Sequence, residues 1–324
     1  MNKNVYLCAC LMLCFPNAKI NLGLCVTRRR PDGYHDLQTV FYPVGLTDAL
    51  EVLPADQDSR CTGPARQPMM SGQQSASPTG HVPHPAPPRC HLHRYGLPLE
   101  GDVQQDLVVR AYRLLGERYD LPPVEVHLLK GIPSGAGLGG GSADAAFMLR
   151  TLDAMFHLDL GREELERYAA TLGADCAVFI ANRPVYAEGI GNVFTPIDLS
   201  LRGYGIEVVR PNVFVSTREA FAHITPRPPR VPLLEVIRRP VSTWRDTMVN
   251  DFEESVFPRH PIIADLKREL YDRGAVYAAM TGSGSSVFGL FAPGVDWPAR
   301  HADADADADA DTDAGMFVYR GRLD

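Results

Sequence analysis

The sequence has no excess of positive charge. In its 324 residues, 32 lysines and arginines stand against 39 aspartates and glutamates, for a formal net charge of −7. Proteins that bind nucleic acid need a basic stripe or patch, and the short cluster Arg28–Arg30 adjoins Pro31-Asp32-Gly33, a turn signal. We interpret this cluster as a solvated hairpin tip rather than a site that steers a charged substrate. Nucleic-acid binding is thus not expected.

The sequence also lacks features of membrane and secreted proteins. The apolar segment 5–15 is shorter than the roughly 20 residues that span a bilayer. It has one nearby lysine and no small-residue cleavage site, so residues 1–14 are interpreted as an irregular N-terminal extension rather than a signal peptide. The seven cysteines are odd in number and irregularly spaced, which predicts free thiols in a reducing, cytoplasmic compartment.

Two segments lack the apolar periodicity of packed elements. Residues 55–93, crowded with Pro, Ser, Gln and Gly as far as residue 88, are predicted to be a disordered insertion. Residues 301–314, an acidic alternation of Ala and Asp, are interpreted as a solvated linker. A metal site in segment 55–93 is an alternative interpretation. It is less favoured, because a flexible loop would not hold the ligands in a fixed arrangement. Its ligands would be His81, His84, Cys90, His91 and His93.

What the sequence does contain is a glycine-rich turn, with five glycines in seven residues. The turn consists of Pro133, Ser134, Gly135, Ala136, Gly137, Leu138, Gly139, Gly140, Gly141, Ser142 and Ala143. The pattern at 124–129 before it predicts a strand, and residues 143–152 after it suit a helix. Glycine lets backbone N–H groups approach a ligand, and a helix N-terminus favours negative charge. The turn is therefore interpreted as a phosphate cradle.

Known phosphate-binding loops match this turn unequally. The spacing Gly135-x-Gly137-x-x-Gly140 has the form of the dinucleotide fingerprint, but no acidic residue ends a second strand about 20 residues further on. A Walker A loop would close with Gly-Lys-Ser/Thr, whereas here Ser142 and Ala143 follow the last glycine. The dinucleotide-binding loop is therefore disfavoured, and the Walker A loop is excluded. A plain turn is disfavoured too, because five flexible glycines carry an entropic cost.

Elsewhere the pattern predicts an α+β fold. Strands are predicted at 18–26, 39–41, 124–129, 178–180, 205–210, 213–216 and 276–280. Helices are predicted at 107–118, 142–156, 162–171 and 262–272. Gly173 suits the C-cap of the third helix.

Three ordered motifs resemble those of the GHMP small-molecule kinases. They are Pro16-Asn17-Ala18-Lys19-Ile20-Asn21-Leu22, the glycine-rich turn, and Thr281-Gly282-Ser283-Gly284-Ser285-Ser286. Two further stretches are similar to the branch of this family that phosphorylates a cytidyl diphosphate sugar alcohol. They are Asp32-Gly33-Tyr34-His35-Asp36-Leu37 and Leu172-Gly173-Ala174-Asp175. The resemblance covers roughly residues 15–54 and 94–293.

The resemblance implies two α+β domains with the active site in the cleft between them. The N-terminal domain is expected at 15–183, with 55–93 as its insertion. The C-terminal domain is expected at 184–324, with 301–314 as its insertion.

The resemblance also implies catalytic roles for Lys19 and Asp175. Asp175 is the expected base for the acceptor hydroxyl, and the Lys19 ammonium would orient it and stabilise charge during transfer. Because strand side chains alternate, Asn21 points to the same side as Lys19, and it is expected to bind substrate. Without the resemblance, Asp175 would be interpreted as a turn carboxylate and Lys19 as part of a polar surface stripe.

ATP and Mg²⁺ are the expected cofactors, with ATP bound along residues 133–143. Ser142 could reach a phosphate oxygen or Mg²⁺, although capping the predicted helix explains it equally well. No dedicated protein metal site is expected. Lys130 matches a nucleotide-contacting lysine of the family. Asp106 stands where the family has an asparagine near adenine, and its carboxylate can accept a hydrogen bond there but cannot donate one.

Tyr34 and His35 match the pair that, in the cytidyl branch, binds the cytosine ring of the substrate. An aromatic face suits a pyrimidine, and imidazole nitrogens can hydrogen-bond its edge. Without the resemblance, packing within a hairpin would explain both residues.

The expected function is therefore ATP-dependent phosphorylation of the 2-hydroxyl of a cytidyl diphosphate sugar alcohol, in non-mevalonate isoprenoid biosynthesis. The expected partner is this small molecule, with no nucleic acid and no membrane, and the sequence does not determine the oligomeric state. Two alternatives remain open, namely another GHMP small-molecule kinase and a decayed, non-catalytic nucleotide-binding protein. The presence of both Lys19 and Asp175 argues against decay.

Overall fold

The computed structural model describes residues 5–8, 11–55, 89–298 and 315–324. The stretch 56–88, with His81 and His84, and the acidic segment 301–314 lie outside these ranges, so the expectations for them stay predictions. None of the described helices combines the length and the apolar character needed to cross a membrane.

The secondary structure mixes strands and helices along the whole described chain. In chain order the strands are β1 (Val5–Cys8), β2 (Leu11–Cys14), β3 (Asn17–Arg29), β4 (His35–Thr47), β5 (Ala49–Pro54), β6 (Cys90–Gly96), β7 (Val124–Lys130), β8 (Val185–Glu188), β9 (Val193–Pro196), β10 (Gly205–Arg210), β11 (Tyr277–Met280), β12 (Val287–Phe291) and β13 (Phe317–Arg322). The helices are α1 (Leu107–Tyr119), α2 (Gly140–Phe156), α3 (Arg162–Leu172), α4 (Val178–Ala181), α5 (Thr217–Phe221), α6 (Leu233–Val236), α7 (Phe252–Val256) and α8 (Pro261–Asp272). Short 3₁₀ helices cover Val103–Gln105 and Val241–Thr243.

A five-stranded sheet in the N-terminal half carries helices α1 to α4 on one face. Its strand order is β1-β2-β5-β7-β6, and β6 runs parallel to β7 while the other neighbours are antiparallel. The apolar face of α1 and most of α2 pack on the inner face of this sheet, where Val126 and Leu128 are fully buried. Tyr95 and Leu129 lie on the opposite face and are about half exposed.

A second sheet, of order β3-β4-β8-β9, places the first sequence motif. Ala18, Ile20 and Leu22 of β3 lie in a hydrophobic core shared with the C-terminal sheet. Because side chains alternate along a strand, Lys19 and Asn21 point to the opposite side. That alternation is the reason one strand can serve both the core and a polar site.

The C-terminal half is built on an antiparallel sheet of order β11-β12-β10-β13. One face of this sheet contributes to the core shared with β3 and β4, which includes the fully buried Trp244, Tyr277 and Phe288. The other face packs against α8, α5 and α7. The fold is therefore α+β in both halves, as the sequence pattern predicts.

Four predicted features differ from the structure. Residues 178–180 form helix α4 rather than a strand, because a short apolar run suits either element and here packs against α2 and α3. Residues 213–216 form no strand, and Ser216 instead caps α5 by accepting a hydrogen bond from the Glu219 amide. The extension 1–14 is not irregular throughout, since β2 pairs with β5. Likewise β6 begins at Cys90, inside the predicted insertion 55–93, because it pairs with β7.

The predicted domain limits stay predictions. Strands β8 and β9 follow the expected boundary after residue 183, yet they complete the sheet that β3 and β4 begin.

The cysteines with described side chains are buried free thiols, as their irregular spacing predicts. They are Cys14, Cys25, Cys90 and Cys176. Burial raises the pKa of Cys14 and Cys176 to about 11 and that of Cys25 and Cys90 to about 12. The protonated thiol is a poor nucleophile, so these side chains act as small apolar residues.

Candidate active site

The glycine-rich turn joins β7 to α2 and lines a cavity of about 510 Å³. Gly137 and Gly139 both have φ near +74°, a conformation that favours glycine. A Cβ on Gly137 would lie 2.1 Å from the carbonyl oxygen of Thr281, so only glycine allows the turn to approach the third motif this closely. Residues 139–142, at the start of α2, line this cavity, and the unpaired amides of a helix N-terminus are groups that bind phosphate.

Ser142 does not cap α2. The helix begins at Gly140, two residues before the predicted start, and its N-cap is Gly139 without a side-chain cap bond. Ser142 thus lies in the first turn of the helix, where it is partly exposed and lines the cavity. The structure therefore removes the capping explanation, and the Ser142 side chain is hydrogen-bonded to Cys176 beside Asp175.

Lys19 is buried and held in one place. Its Nζ donates to Oδ1 of Asn21 at 2.7 Å and to the carbonyl oxygen of Gly137 at 3.0 Å. The backbone amide of Lys19 also donates to the carbonyl of Leu138, which fastens β3 to the glycine-rich turn. The side chains of Lys19 and Asn21 therefore point to the same side of β3, as predicted, and they are directly hydrogen-bonded. The ammonium bridges the first motif and the second.

Asp175 lies in the turn between α3 and α4, after Gly173 at the C-cap of α3. Its Oδ2 is 3.4 Å from Lys19 Nζ, and its side chain is 36% exposed while that of Lys19 is 4% exposed. The carboxylate is consequently tied to a fixed cation on one side and open to a ligand on the other.

A second cavity, of about 990 Å³, lies on the other side of Asp175. The hairpin between β3 and β4 contributes Tyr34, which is 63% exposed, and His35. The His35 ring stacks on Phe221 with centroids 4.7 Å apart, and Phe221 contacts Phe252 edge to face. The cavity thus combines an aromatic wall with an imidazole, a combination suited to a flat heterocycle.

The hairpin arginines are paired within their own hairpin. Arg28 contacts Asp36 at 2.6 Å, and Arg30 contacts Asp32 and Asp36 at 3.0 and 3.2 Å. Asp32 also accepts a hydrogen bond from the Tyr34 amide at 3.0 Å. The arrangement agrees with a solvated hairpin tip, because these charges are compensated locally.

The two cavities meet at four residues that line both. These residues are Ser142, Asp175, Thr217 and Ser283. A group bound along the glycine-rich turn and a group bound against His35 would therefore approach each other at Asp175. This geometry suits the transfer of a group from one ligand to another.

Lys130 and Asp106 line a smaller cavity of about 210 Å³ beside Gly141. Asp106 caps α1 by accepting from the Val108 amide at 3.0 Å, and its Oδ2 lies 3.7 Å from Arg94. Its carboxylate therefore has structural partners in addition to any ligand.

Lys130 is not an ordinary strand-end lysine, because its ammonium is buried between two carboxylates. Nζ contacts Asp48, and it contacts Oδ2 of Asp144 at 2.6 Å. Oδ1 of Asp48 also accepts from the amides of Gly131 and Ile132, at the entrance to the glycine-rich turn. Although burial disfavours the ammonium, Asp144 and Asp48 raise the pKa of Lys130. We name Asp48, Lys130 and Asp144 the buried charge triad.

Three residues of the site were missed by sequence reasoning. Asp48 carries no local signal, since its partners come from β7 and α2. No motif includes Phe221, yet its ring supports His35 in the large cavity. Thr281 is the first residue of the third motif, and its hydroxyl contacts Asn21 and Gly137. Only the last of these had a usable signal, its place in the third motif.

No group of three or more metal-ligating side chains is arranged around a common point in the described ranges, which include Cys90, His91 and His93 on β6.

Comparison with known families gives two matches. Residues 106–183 match the family described as GHMP kinases N terminal domain, and residues 234–310 match GHMP kinases C terminal.

Relatives of known name match over most of the chain. The 4-diphosphocytidyl-2-C-methyl-D-erythritol kinase of Bacteroides thetaiotaomicron is 53% identical, over 87% of this chain and 93% of the relative. The protein of the same name from Porphyromonas gingivalis is 43% identical, over 86% and 92%.

Solved kinase structures also match this chain over most of its length. A crystal structure of 4-(cytidine 5'-diphospho)-2C-methyl-D-erythritol kinase matches with a TM-score of 0.67 and 30% identity, covering 86% of this chain and 90% of that one. The mevalonate kinase of Methanococcus jannaschii matches with a TM-score of 0.59 over 88% and 92%, but at 11% identity it shows a common fold alone.

Proposed function

The chain belongs to the GHMP kinase family, and we propose that it transfers the terminal phosphate of ATP to the 2-hydroxyl of 4-diphosphocytidyl-2-C-methyl-D-erythritol. Several relatives at 41–54% identity carry the name of this kinase. The observation that carries the proposal is the position of Asp175, which lines both large cavities and lies 3.4 Å from the ammonium of Lys19. The reaction is a step of non-mevalonate isoprenoid biosynthesis.

ATP binds with its phosphates along residues 133–143. Backbone amides of the glycine-rich turn and the first turn of α2 receive the phosphate oxygens, and the dipole of this 17-residue helix favours their charge. The adenine lies toward the smaller cavity, which is lined by Asp106 and Lys130. With Lys130 held by two carboxylates, its role there is chiefly to fix the walls of that cavity.

Asp175 accepts the proton of the 2-hydroxyl as that oxygen attacks the terminal phosphorus. The O–H bond breaks, the new P–O bond forms, and ADP leaves with the electrons of the broken P–O bond. Lys19 donates hydrogen bonds to Asn21 and Gly137 and holds the carboxylate in position. Its positive charge also stabilises the negative charge that shifts between the oxygens during transfer.

Mg²⁺ would be held mainly by the phosphates of ATP, because this ion usually retains phosphate and water ligands. Ser142, a partly exposed residue that lines the phosphate cavity, would supply its hydroxyl as a further oxygen ligand. When bound, the ion neutralises phosphate charge and orients the terminal group.

The cytidyl group of the substrate lies in the cavity of about 990 Å³. Tyr34 supplies an aromatic face, and His35, supported by Phe221, hydrogen-bonds the edge of the cytosine. Asn21 lies close enough to Lys19 to contact the erythritol portion near the reacting hydroxyl. The cytoplasmic location and the absence of nucleic-acid and membrane partners stay predictions.

The test is ADP release by the purified chain with ATP and Mg²⁺. The acceptors compared are the diphosphocytidyl methylerythritol, galactose, homoserine and mevalonate. Turnover confined to the cytidyl compound supports the proposal. Turnover with another acceptor would keep the family and overturn the assignment of Tyr34 and His35, whereas silence with all four would favour a non-catalytic nucleotide-binding protein.

A further inference from the structure

A short segment before α7 connects β3, the strand that carries Lys19, to the third motif at residues 281–286. The amide of Leu24 on β3 donates to the carbonyl of Val249 at 2.9 Å, and the amide of Asp251 donates to the carbonyl of Leu24 at 2.8 Å. Oδ2 of Asp251 accepts from the Val26 amide at 2.7 Å. Residues 249–251, which we name the clip, are thus bonded along the strand that carries Lys19.

The side chain of Asn250, at the centre of the clip, reaches in the other direction. Its Nδ2 donates to the carbonyls of Met280 and Gly282, both at 2.8 Å, and its Oδ1 accepts from the Phe252 amide at 3.0 Å. Asn250 is only 2% exposed, so water cannot replace these bonds. Both amide hydrogens are used, and the peptide carbonyls on either side of Thr281 are fixed. A carboxylate of the same shape would lack these donors.

Thr281, held between those two carbonyls, is fully buried and faces Lys19's own partners. Its Oγ1 accepts from the Asn21 amide at 3.1 Å and lies 3.2 Å from the carbonyl of Gly137 and 3.3 Å from Oδ1 of Asn21. These last two oxygens are the acceptors of the Lys19 ammonium. One hydroxyl therefore touches both hydrogen-bond acceptors of the Lys19 ammonium.

We propose that Asn250 and Thr281 are positioning residues for phosphoryl transfer. Asn250 holds the backbone on both sides of Thr281, and the Thr281 hydroxyl then holds Asn21 and Gly137 where they bind the Lys19 ammonium. Neither residue touches the substrate in this role. The inference rests on the proposed function, since it assigns these residues to the same transfer step.

The first arm of the test measures kcat and KM with ATP and the cytidyl compound. Asn250→Ala and Thr281→Val are each expected to lower kcat by about 10- to 100-fold, with both KM values within about threefold, because a misplaced reacting group costs rate more than binding. Thr281→Ser keeps the hydroxyl and should restore most of kcat. If Asn250→Ala does not fold, the Thr281 pair alone decides.

The second arm uses a matched control and a double variant. Tyr271→Phe removes a hydrogen bond to the carbonyl of Ala278, on the same strand β11 but away from Thr281. It should lower thermal stability without changing kcat. The double variant of Asn250→Ala and Thr281→Val should lose little more kcat than the worse single variant, because both act through one hydroxyl. Full additivity, or a loss confined to KM, would overturn the inference.

The third arm does not need turnover. Hydrogen exchange at the Asn21 amide should accelerate in Thr281→Val and Asn250→Ala but not in Thr281→Ser or Tyr271→Phe. An inactive wild-type chain would defeat the proposed function and leave this arm readable. Unchanged exchange in Thr281→Val and Asn250→Ala would defeat the positioning role even in an active enzyme.

Discussion

Lys19 and Asp175 face each other with 3.4 Å between Nζ and Oδ2, one on a buried strand and the other in a turn between two helices. The ammonium has little freedom, because Asn21 and Gly137 hold it from the far side. The carboxylate, by contrast, is partly open to the junction of two cavities. A fixed cation beside an accessible carboxylate can hold that carboxylate in one orientation during a reaction.

Asp175→Asn should reduce turnover by about 10²- to 10⁴-fold, because an amide oxygen does not take up the proton of the hydroxyl. ATP binding should remain close to that of the wild type, since the glycine-rich turn is unaltered. ADP release and equilibrium nucleotide binding measure the two effects separately. Near-normal turnover in this variant would show that the base assignment is wrong.

Tyr34→Ala should raise KM for the cytidyl substrate by roughly tenfold or more, in line with about 1–3 kcal/mol for loss of a stacked aromatic face. KM for ATP should stay the same, because Tyr34 lines only the larger cavity of the two that meet at Asp175. Tyr95→Ala is the matched control, since Tyr95 is 51% exposed on the outer face of the first sheet. Equal effects of the two substitutions on KM would remove Tyr34 from the binding site.

Gly137→Ala should both destabilise the fold and abolish turnover. Its φ of +74° disfavours alanine by about 1–2 kcal/mol, and the new Cβ would lie 2.1 Å from the Thr281 carbonyl oxygen. Gly101→Ala separates these causes, because Gly101 has φ of +95° with nothing within 4 Å of a Cβ. Thermal unfolding and ADP release of both variants should show a small loss for Gly101→Ala and a much larger one for Gly137→Ala. Similar losses would mean that the contact with Thr281 can relax.

Asp144→Asn should change the pH dependence of stability. Burial raises the pKa of Asp144 well above its usual value, against the opposing effect of Lys130. A carboxyl group with a raised folded-state pKa contributes most stability at low pH, and this contribution falls as pH rises from the unfolded value of about 3.9 through the folded one. Asparagine does not titrate in this pH range. The free energy of unfolding of Asp144→Asn minus that of the wild type should therefore increase as pH rises.

Urea unfolding of Asp144→Asn at a series of pH values from 4 to 8 measures this difference. Asp272→Asn, an exposed position at the end of α8, is measured beside it as the control for loss of a carboxylate outside the buried charge triad. A flat difference for Asp144→Asn would mean that this carboxyl group titrates alike in the folded and unfolded chains.

Local patterns predicted the parts of the site that depend on neighbours in sequence. Glycine spacing followed by helix formers indicated the phosphate cradle, and strand alternation put Lys19 and Asn21 on one side. Each of these two predictions depends only on the local geometry of one stretch of the chain. The helix start was misplaced by two residues, at Ser142 instead of Gly140, because serine is a more favoured cap than glycine, whereas here the left-handed Gly139 is the N-cap.

The rest of the site depends on partners that are distant in the chain. The buried ammonium of Lys130 needs Asp48 and Asp144, which come from a neighbouring strand end and a helix. The role of Phe221, on α5, needs His35, which begins β4. Residues 178–180 show the same limit within secondary structure, since three apolar residues suit a strand or a helix until α2 and α3 supply the packing surface.

The junction formed by Ser142, Asp175, Thr217 and Ser283 also bears on inhibition. A single molecule that links a nucleoside polyphosphate to a cytidyl group could occupy both cavities at once, with its linker passing Asp175. Once one end is bound, the other end is present at a high effective concentration, so affinity would exceed that of either fragment by orders of magnitude when the linker length matches the span. Proteins that share only one of the two cavities would bind such a bisubstrate compound no better than a fragment, which makes the junction a source of selectivity.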